Sequence, residues 1–202
     1  MTFRELLAKE FLTLTTEQLS LANQHYDLLV KWNSRMNLTR IESLEEAVQL
    51  HYCESFFLAQ HLPPGPLKVA DIGSGPGFPG IPAAILRPDL HFTLIESNAR
   101  KCVFLTESTR RLPNVHVLNT RAMPCSADWQ SAADCQSATP YDWVISRAVD
   151  PQEVLTAHLA RNHALLLSTK QEAPPTWRQI PIPWGINRIL AISRETVSRE
   201  TP

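Results

Sequence analysis

The feature that most constrains this chain is Val69-Ala70-Asp71-Ile72-Gly73-Ser74-Gly75-Pro76-Gly77-Phe78-Pro79-Gly80, a short apolar run that ends in an acid and breaks into a glycine-rich turn. Glycines adopt positive φ and let a ligand approach the backbone, so such a turn between a strand and a helix marks a nucleotide-type crevice. The rest of the chain agrees. After Leu67, short apolar runs alternate with helix-like stretches: LKVADI, a helix to about Leu86, HFTLIE, a helix through Arg111, VHVLN, YDWVIS, a helix from Pro151 to Ala160, and HALLLSTK. That alternation predicts βαβ units and an α/β fold with a doubly wound, mostly parallel sheet. The run RQIPIPWGINRILAIS predicts a C-terminal antiparallel hairpin turned at Trp184-Gly185. Pro181 and Pro183 lack backbone donors, which places its first strand at a sheet edge.

Ahead of the sheet the pattern is helical. Leu19, Ala22, Tyr26, Leu29 and Val30 recur at the spacing of one helix face behind a capping box formed by Thr15 and Gln18. A second start at Ser43 with Glu46 leads into Ala47, Leu50, Phe57 and Leu58. Between them, Trp32 to Thr39 reads as a helix end entering a polar turn, with Asn33 and Asn37 as caps, and Trp32 and Tyr26 as packing residues. Pro63-Pro64-Gly65-Pro66 closes this part. The expected organisation is a helical extension over 1–62 packed as one unit with a cofactor domain over 67–202. Ser126 to Pro140, rich in Ser, Ala and Asp, reads as a loop.

Composition excludes several classes. With 202 residues, 44% of them hydrophobic, the chain can bury a core. No apolar run approaches the roughly 20 residues of a membrane span, and MTFRELLAKEFL mixes charges into its apolar pattern, which predicts a cytoplasmic protein with no membrane partner. Cys53, Cys102, Cys125 and Cys135 form no C-x-x-C pair, so they are expected to be reduced and no metal site is expected. The formal net charge of −1 supplies no global basic field, so a nucleic acid must be held by a local patch.

Gly75, Gly77 and Gly80 fit G-x-G-x-x-G with Glu96 as the following acid, which leaves an NAD(P)-dependent oxidoreductase open. Two features argue against a pyrophosphate. Pro76, Pro79 and Pro82 delete three N–H groups that phosphates would use. Asp71 would repel a pyrophosphate, yet it suits a ligand bearing an ammonium and a sulfonium, as S-adenosylmethionine does. Glu96, ending HFTLIE, can accept from the ribose hydroxyls of either cofactor.

Together with Lys31-Trp32-Asn33, Asn37-Leu38-Thr39, His51 with Ser55, RPDLHFTLIES, the Lys101-to-Leu105 helix, Arg121 and Ile145-Ser146-Arg147-Ala148, the DIGSGPGFPGIP loop resembles the small-subunit ribosomal RNA guanine-N7 methyltransferases over most of the chain. The resemblance implies a seven-stranded, Rossmann-like methyltransferase sheet and S-adenosylmethionine as donor. It also implies 16S ribosomal RNA or the small ribosomal subunit as partner, and a monomer is expected. By position, it places Asp71, Gly73, Gly75 and Gly77 at the methionine end, with Phe78 also at the cofactor. Glu96 then falls at the ribose, and Arg121 and Ala122 near the adenine. Arg147 and Lys170 fall at the methyl-transfer and RNA face, and Arg35 and Arg121 become candidate RNA contacts, as do Arg40, His51 and the pair Arg110-Arg111. Guanine N7 carries a lone pair and no proton, so no general base is expected and the task of Arg147 and Lys170 is positioning. The alternative for Arg147 is an ordinary surface arginine paired with Asp150 or Asp142. The chain departs from the family at Glu54, where an aspartate is usual, and at Gln171, where a glycine is usual. A non-catalytic ribosome-binding protein with the same fold is the third reading.

Overall fold

The computed structural model describes residues 1–40, 43–122, 139–168 and 171–193. The helices are α1 (Phe3–Glu10), α2 (Thr16–Met36), α3 (Leu44–Glu46), a π-helical segment (Ala47–Cys53), α4 (Glu54–Gln60), α5 (Gly80–Leu86), α6 (Ala99–Ser108) and α7 (Pro151–Thr156). The strands are β1 (Lys68–Ile72), β2 (His91–Glu96), β3 (Val115–Asn119), β4 (Trp143–Arg147), β5 (Asn162–Leu167), β6 (Arg178–Pro181) and β7 (Ile189–Ile192).

Local chemistry sets the helix ends. Thr2 with Glu5 and Thr15 with Gln18 form full capping boxes, each satisfying two otherwise orphaned N–H groups. At the far end of α2, Asn37 takes the left-handed conformation (φ 49°), and the Asn33 Oδ1 accepts the Thr39 N–H at 2.8 Å. Both asparagines therefore cap, as their positions predict. Val30 does not join the buried face: it is 53% exposed, because the buried stripe of α2 runs through Ala22, His25 and Leu29, and Val30 lies one residue around the helix from it. The helix predicted from Pro151 to Ala160 stops at Thr156, shortly before His158 takes a positive φ of 51°.

The strands form one seven-stranded sheet in the order β3-β2-β1-β4-β5-β7-β6. β1 to β5 run parallel, and β7 and β6 complete the sheet antiparallel. β6 is the edge strand, where Pro181 removes no needed ladder bond. Side chains alternate as the pleat demands: Val69, Trp143, Ile145, Ala164 and Leu166 face α4 and α5, whereas Ala70, Ile72, Val144, Leu165 and Leu167 face α7. The helical elements before β1 share a core with α5 and α6 through Phe3, Leu29, Tyr52, Phe56, Ile81 and Phe104.

The chain runs outward from β1 to β2 and β3, then returns to β4 on the other side of β1. That reversal is a topological switch point, and crevices for ligands open there, outside the carboxyl ends of the strands. Asp71 and Arg147 lie at those ends. Among the described residues no helix is long and apolar enough to cross a membrane. Residues 126–138 of the expected loop, Lys170, Cys125 and Cys135 lie outside the described residues.

Candidate functional site

The turn after β1 is closed by its own hydrogen bonds. Gly73 and Ser74 donate to the Ile95 carbonyl (2.9 and 3.2 Å), Gly77 and Phe78 to the Ser74 carbonyl (2.8 and 3.1 Å), and Ile81 to the Gly77 carbonyl (2.7 Å). Gly75 donates to Glu96 Oε2 and Gly80 to Asp71 Oδ2, each at 3.0 Å. Pro76 and Pro79 have no N–H. Every backbone donor from Gly73 to Ile81 is thus committed inside the protein, and none faces out toward an anion. The glycines are needed for this path: Gly73, Gly75 and Gly77 hold φ of 68°, 55° and 91°.

Asp71 is fully buried beneath the turn. Its Oδ2 holds Gly80, its Oδ1 has no hydrogen-bond partner, and burial pushes its carboxyl up to about 7. Where its place at the strand end suggests a full negative charge, desolvation keeps Asp71 partly protonated near neutral pH. Glu96 is nearly buried at the end of β2, with Oε1 accepting from the Asn98 N–H at 2.8 Å. Each of its oxygens holds one donor and keeps a free lone pair.

Phe78 does not face the crevice. Its ring is 2% exposed, stacked on His51 (4.4 Å between centroids) and edged by Tyr52 (5.1 Å). Only its backbone can serve a cofactor. His51 is likewise no phosphate contact: it is buried, its Nε2 meets the Thr39 hydroxyl at 2.9 Å, and burial beside Arg147 holds its imidazole far below the usual range. It is neutral.

Arg147, half-buried at the end of β4, donates from NH1 to the Leu50 carbonyl at 2.6 Å and lies over the Phe78 ring, 5.2 Å from its centroid. Burial lowers its pKa to about 10, so it stays charged. Neither acid offered by the sequence is its partner. Asp150 caps α7 and Asp142 accepts from the Lys68 N–H. The carbonyl it takes belongs to the π-helical segment, a wide turn of the kind often found at functional sites.

Arg121 is exposed and pairs with Glu153 at 3.2 Å, while Ala122 packs partly buried against the α7 side of the core. Arg35 and Arg40 are exposed around the end of α2. Arg110 and Arg111 line a hollow of about 290 Å³ between α2 and α5, where Arg111 donates to Gln24. The two departures at Glu54 and Gln171 have visible jobs. Glu54 is fully buried and paired with Arg188 of the hairpin, whose NH2 lies 2.7 Å from Oε2. Gln171 donates to the Val149 carbonyl at 2.7 Å and takes the Ser168 N–H at 3.3 Å, tying the ends of β4 and β5 together beside a hollow of about 430 Å³. Sequence reasoning passed over His25, Tyr52 and Arg188; only His25 carried a signal, a polar residue on the apolar stripe of α2.

Residues 18–174 match the profile of the family described as rRNA small subunit methyltransferase G. The chain belongs to that family. Relatives bearing the name ribosomal RNA small subunit methyltransferase G include those of Xanthomonas euvesicatoria (36% identity, covering 80% of this chain and 74% of the relative) and Nitrosomonas europaea (32%, covering 84% and 78%). The protein of Chromobacterium violaceum is 44% identical over 117 residues, and there the chain spans just over half of the relative's length (56%). Among solved structures, the 23S rRNA methyltransferase ErmE shares the fold at a TM-score of 0.50 and 14% identity, covering 71% of this chain and 68% of that one. In this member of the methyltransferase G family a self-satisfied glycine turn stands at the switch point, with an arginine at the end of β4.

Proposed function

We propose that this chain transfers a methyl group from S-adenosylmethionine to N7 of a guanine in 16S ribosomal RNA, as a monomeric cytoplasmic enzyme acting on RNA or the small subunit. Residues 67–202 form the catalytic unit in this reading, and 1–62 are its extension. The observation that carries it is the saturation of the glycine turn. A dinucleotide pyrophosphate is held by outward backbone N–H groups, and this turn offers none. That disfavours the NAD(P) reading.

The residues present fit the sulfonium cofactor. Gly75 leaves open backbone, since a Cβ there would meet only the Gly73 carbonyl at 3.8 Å, Asp71 keeps one oxygen without a partner, and Glu96 has lone pairs left for two ribose hydroxyls. Bound S-adenosylmethionine supplies an electrophilic methyl group. Asp71, Gly73, Gly75 and Gly77 would hold its methionine end and Glu96 its ribose, with Arg121 and Ala122 at the adenine. Arg147 spends one N–H on Leu50 and keeps others for guanine O6 or a neighbouring phosphate, fixing the base in line. Lys170 would assist at the same face, and Arg35 and Arg121 would hold the RNA backbone. No residue needs to remove a proton, because N7 has none.

Transfer of labelled methyl from S-adenosylmethionine to unmodified small subunits, followed by mapping of the modified base, tests the reading. Binding of NAD(P) without binding of S-adenosylhomocysteine would replace it with an oxidoreductase. Cofactor binding without transfer would favour a non-catalytic ribosome-binding protein. Arg147→Ala is expected to leave cofactor affinity near normal and depress transfer, and Asp71→Ala to weaken cofactor affinity first.

A further inference from the structure

The N–H groups of the glycine turn are held by β1, β2 and the turn itself, but the Pro76 carbonyl is held from elsewhere. Pro76 lies between Gly75 and Gly77, two residues at positive φ and the most pliant part of the backbone. Its carbonyl meets His25 Nε2 at 3.0 Å, and the other ring nitrogen of His25, Nδ1, meets the Tyr52 hydroxyl at 2.8 Å.

The chemistry allows one arrangement of protons. A carbonyl only accepts, so Nε2 carries the hydrogen. His25 is 2% exposed, and burial lowers its pKa to about 4, so it is neutral at physiological pH and Nδ1 is bare. Nδ1 must then accept, and the Tyr52 phenol, kept protonated by its own burial, donates. Tyr52 (in the π-helical segment), His25 (in α2) and Pro76 thus form a one-way chain of hydrogen bonds. The imidazole is boxed by Phe78 (5.2 Å), Tyr52 (5.7 Å) and Phe104 (5.9 Å), which denies it another rotamer.

We infer that His25, set by Tyr52, is a positioning residue for the cofactor: it pins the Gly75-Pro76-Gly77 summit in the shape that receives the methionine end. This rests on the cofactor reading given above. The helical part before β1 thereby reaches the site through a core hydrogen bond.

Calorimetric titration of S-adenosylhomocysteine into the full chain and its variants tests this, alongside melting temperature and the steady-state constants for S-adenosylmethionine. His25→Phe fills the aromatic box and removes both hydrogen bonds. It is expected to raise Kd and KM about tenfold, with kcat within about twofold. His25→Gln can donate to Pro76 and accept from Tyr52, and should restore Kd to within about threefold of the parent. Tyr52→Phe should fall between. Wild-type Kd in His25→Phe, or equal losses in His25→Phe and His25→Gln, would reduce His25 to core filling and overturn the inference. In the parent protein, ¹⁵N-labelled histidine should show the Nε2–H tautomer for His25, and the Nδ1–H form would overturn the relay even if the variants misfold. Failure of the parent itself to bind would instead remove the cofactor reading, so the two failures are separable.

Discussion

The glycine turn and the Arg147 corner adjoin across the switch point, but interactions of very different reach hold them. In the turn, Gly77 bonds to Ser74, Gly80 to Asp71 and Gly75 to Glu96, all within 21 residues. At the corner, Arg147 reaches Leu50 across 97 residues, Glu54 meets Arg188 across 134, and Glu10 meets Trp184 across 174. The cofactor seat is built mainly from β1, β2 and the turn between them, with His25 of α2 reaching the Pro76 carbonyl across 51 residues. The substrate side exists only once both ends of the described chain have come together, so its geometry reports on the whole fold. Damage to one side should therefore be separable from damage to the other.

The largest effect is expected at the long-range seam. Glu54→Ala leaves Arg188 mostly buried without its partner, and should lower stability by about 3 kcal/mol. Urea unfolding measures the loss. Cofactor affinity at temperatures where the variant is folded should stay within about threefold; a tenfold loss would show that the two sides are one unit. Gly80→Ala is the converse case. A Cβ there would meet Leu94 at 2.3 Å and Asp71 Oδ2 at 2.6 Å, an overpacking worth about 2 kcal/mol that also forces the turn off Asp71. Its stability loss should be smaller than that of Glu54→Ala and its loss of cofactor affinity much larger.

The same difference in reach decided what could be read from the amino acids alone. Caps such as Thr15 with Gln18, the mostly parallel sheet implied by alternating elements, the prolines of the edge strand and the glycine turn all depend on neighbours a few residues away. They were legible. The partner of Arg147 was not. Nearby Asp150 and Asp142 were the natural candidates, but Asp150 is taken by the N–H of Gln152 and Asp142 by that of Lys68, 74 residues away, and the acceptor Arg147 does use is a main-chain carbonyl that no residue type announces. Burial was equally hidden: Phe78, His51 and His25 converge on one aromatic cluster from three segments, which packs their rings in the core. Asp71 was seen as an acid in the right place, but the depth that raises its pKa to about 7 belongs to the folded packing.

Acid should expose the cost of that hidden cluster. His51 is neutral in the fold because burial depresses its pKa, whereas in the unfolded chain it titrates near 6.5. Its contribution is therefore complete above pH 6.5 and is lost as pH falls below that value, while the unfolded state gains a proton that the folded state refuses. Asp71 and Glu54, with raised pKa values, act in the opposite sense, so the parent's net slope mixes these terms. Comparing His51→Leu with the parent isolates one proton. Between pH 6 and 5, the variant should lose about 1.4 kcal/mol less stability per pH unit, measured by urea midpoints. Parallel pH profiles would mean that His51 is protonated in the fold.

The smallest effect tests whether the hairpin tip matters beyond its ion pair. Trp184 Nε1 donates to Glu10 Oε2 at 3.0 Å, and its ring packs near Phe11 and Phe57 with centroids 6.3 Å away in each case. Trp184→Phe keeps most of that packing and removes one charge-assisted bond, so stability should fall by about 1 kcal/mol. Because Trp184 and Arg188 sit on the same turn, the loss should shrink when Glu54 has already been replaced, a non-additivity that a double-mutant cycle reads directly. Strict additivity would mean that the hairpin is fastened at two independent points. Cofactor affinity should not move in any member of the cycle, since none of these residues touches the glycine turn; a shift in the Trp184→Phe chain would show that the turn depends on the hairpin as well as on His25.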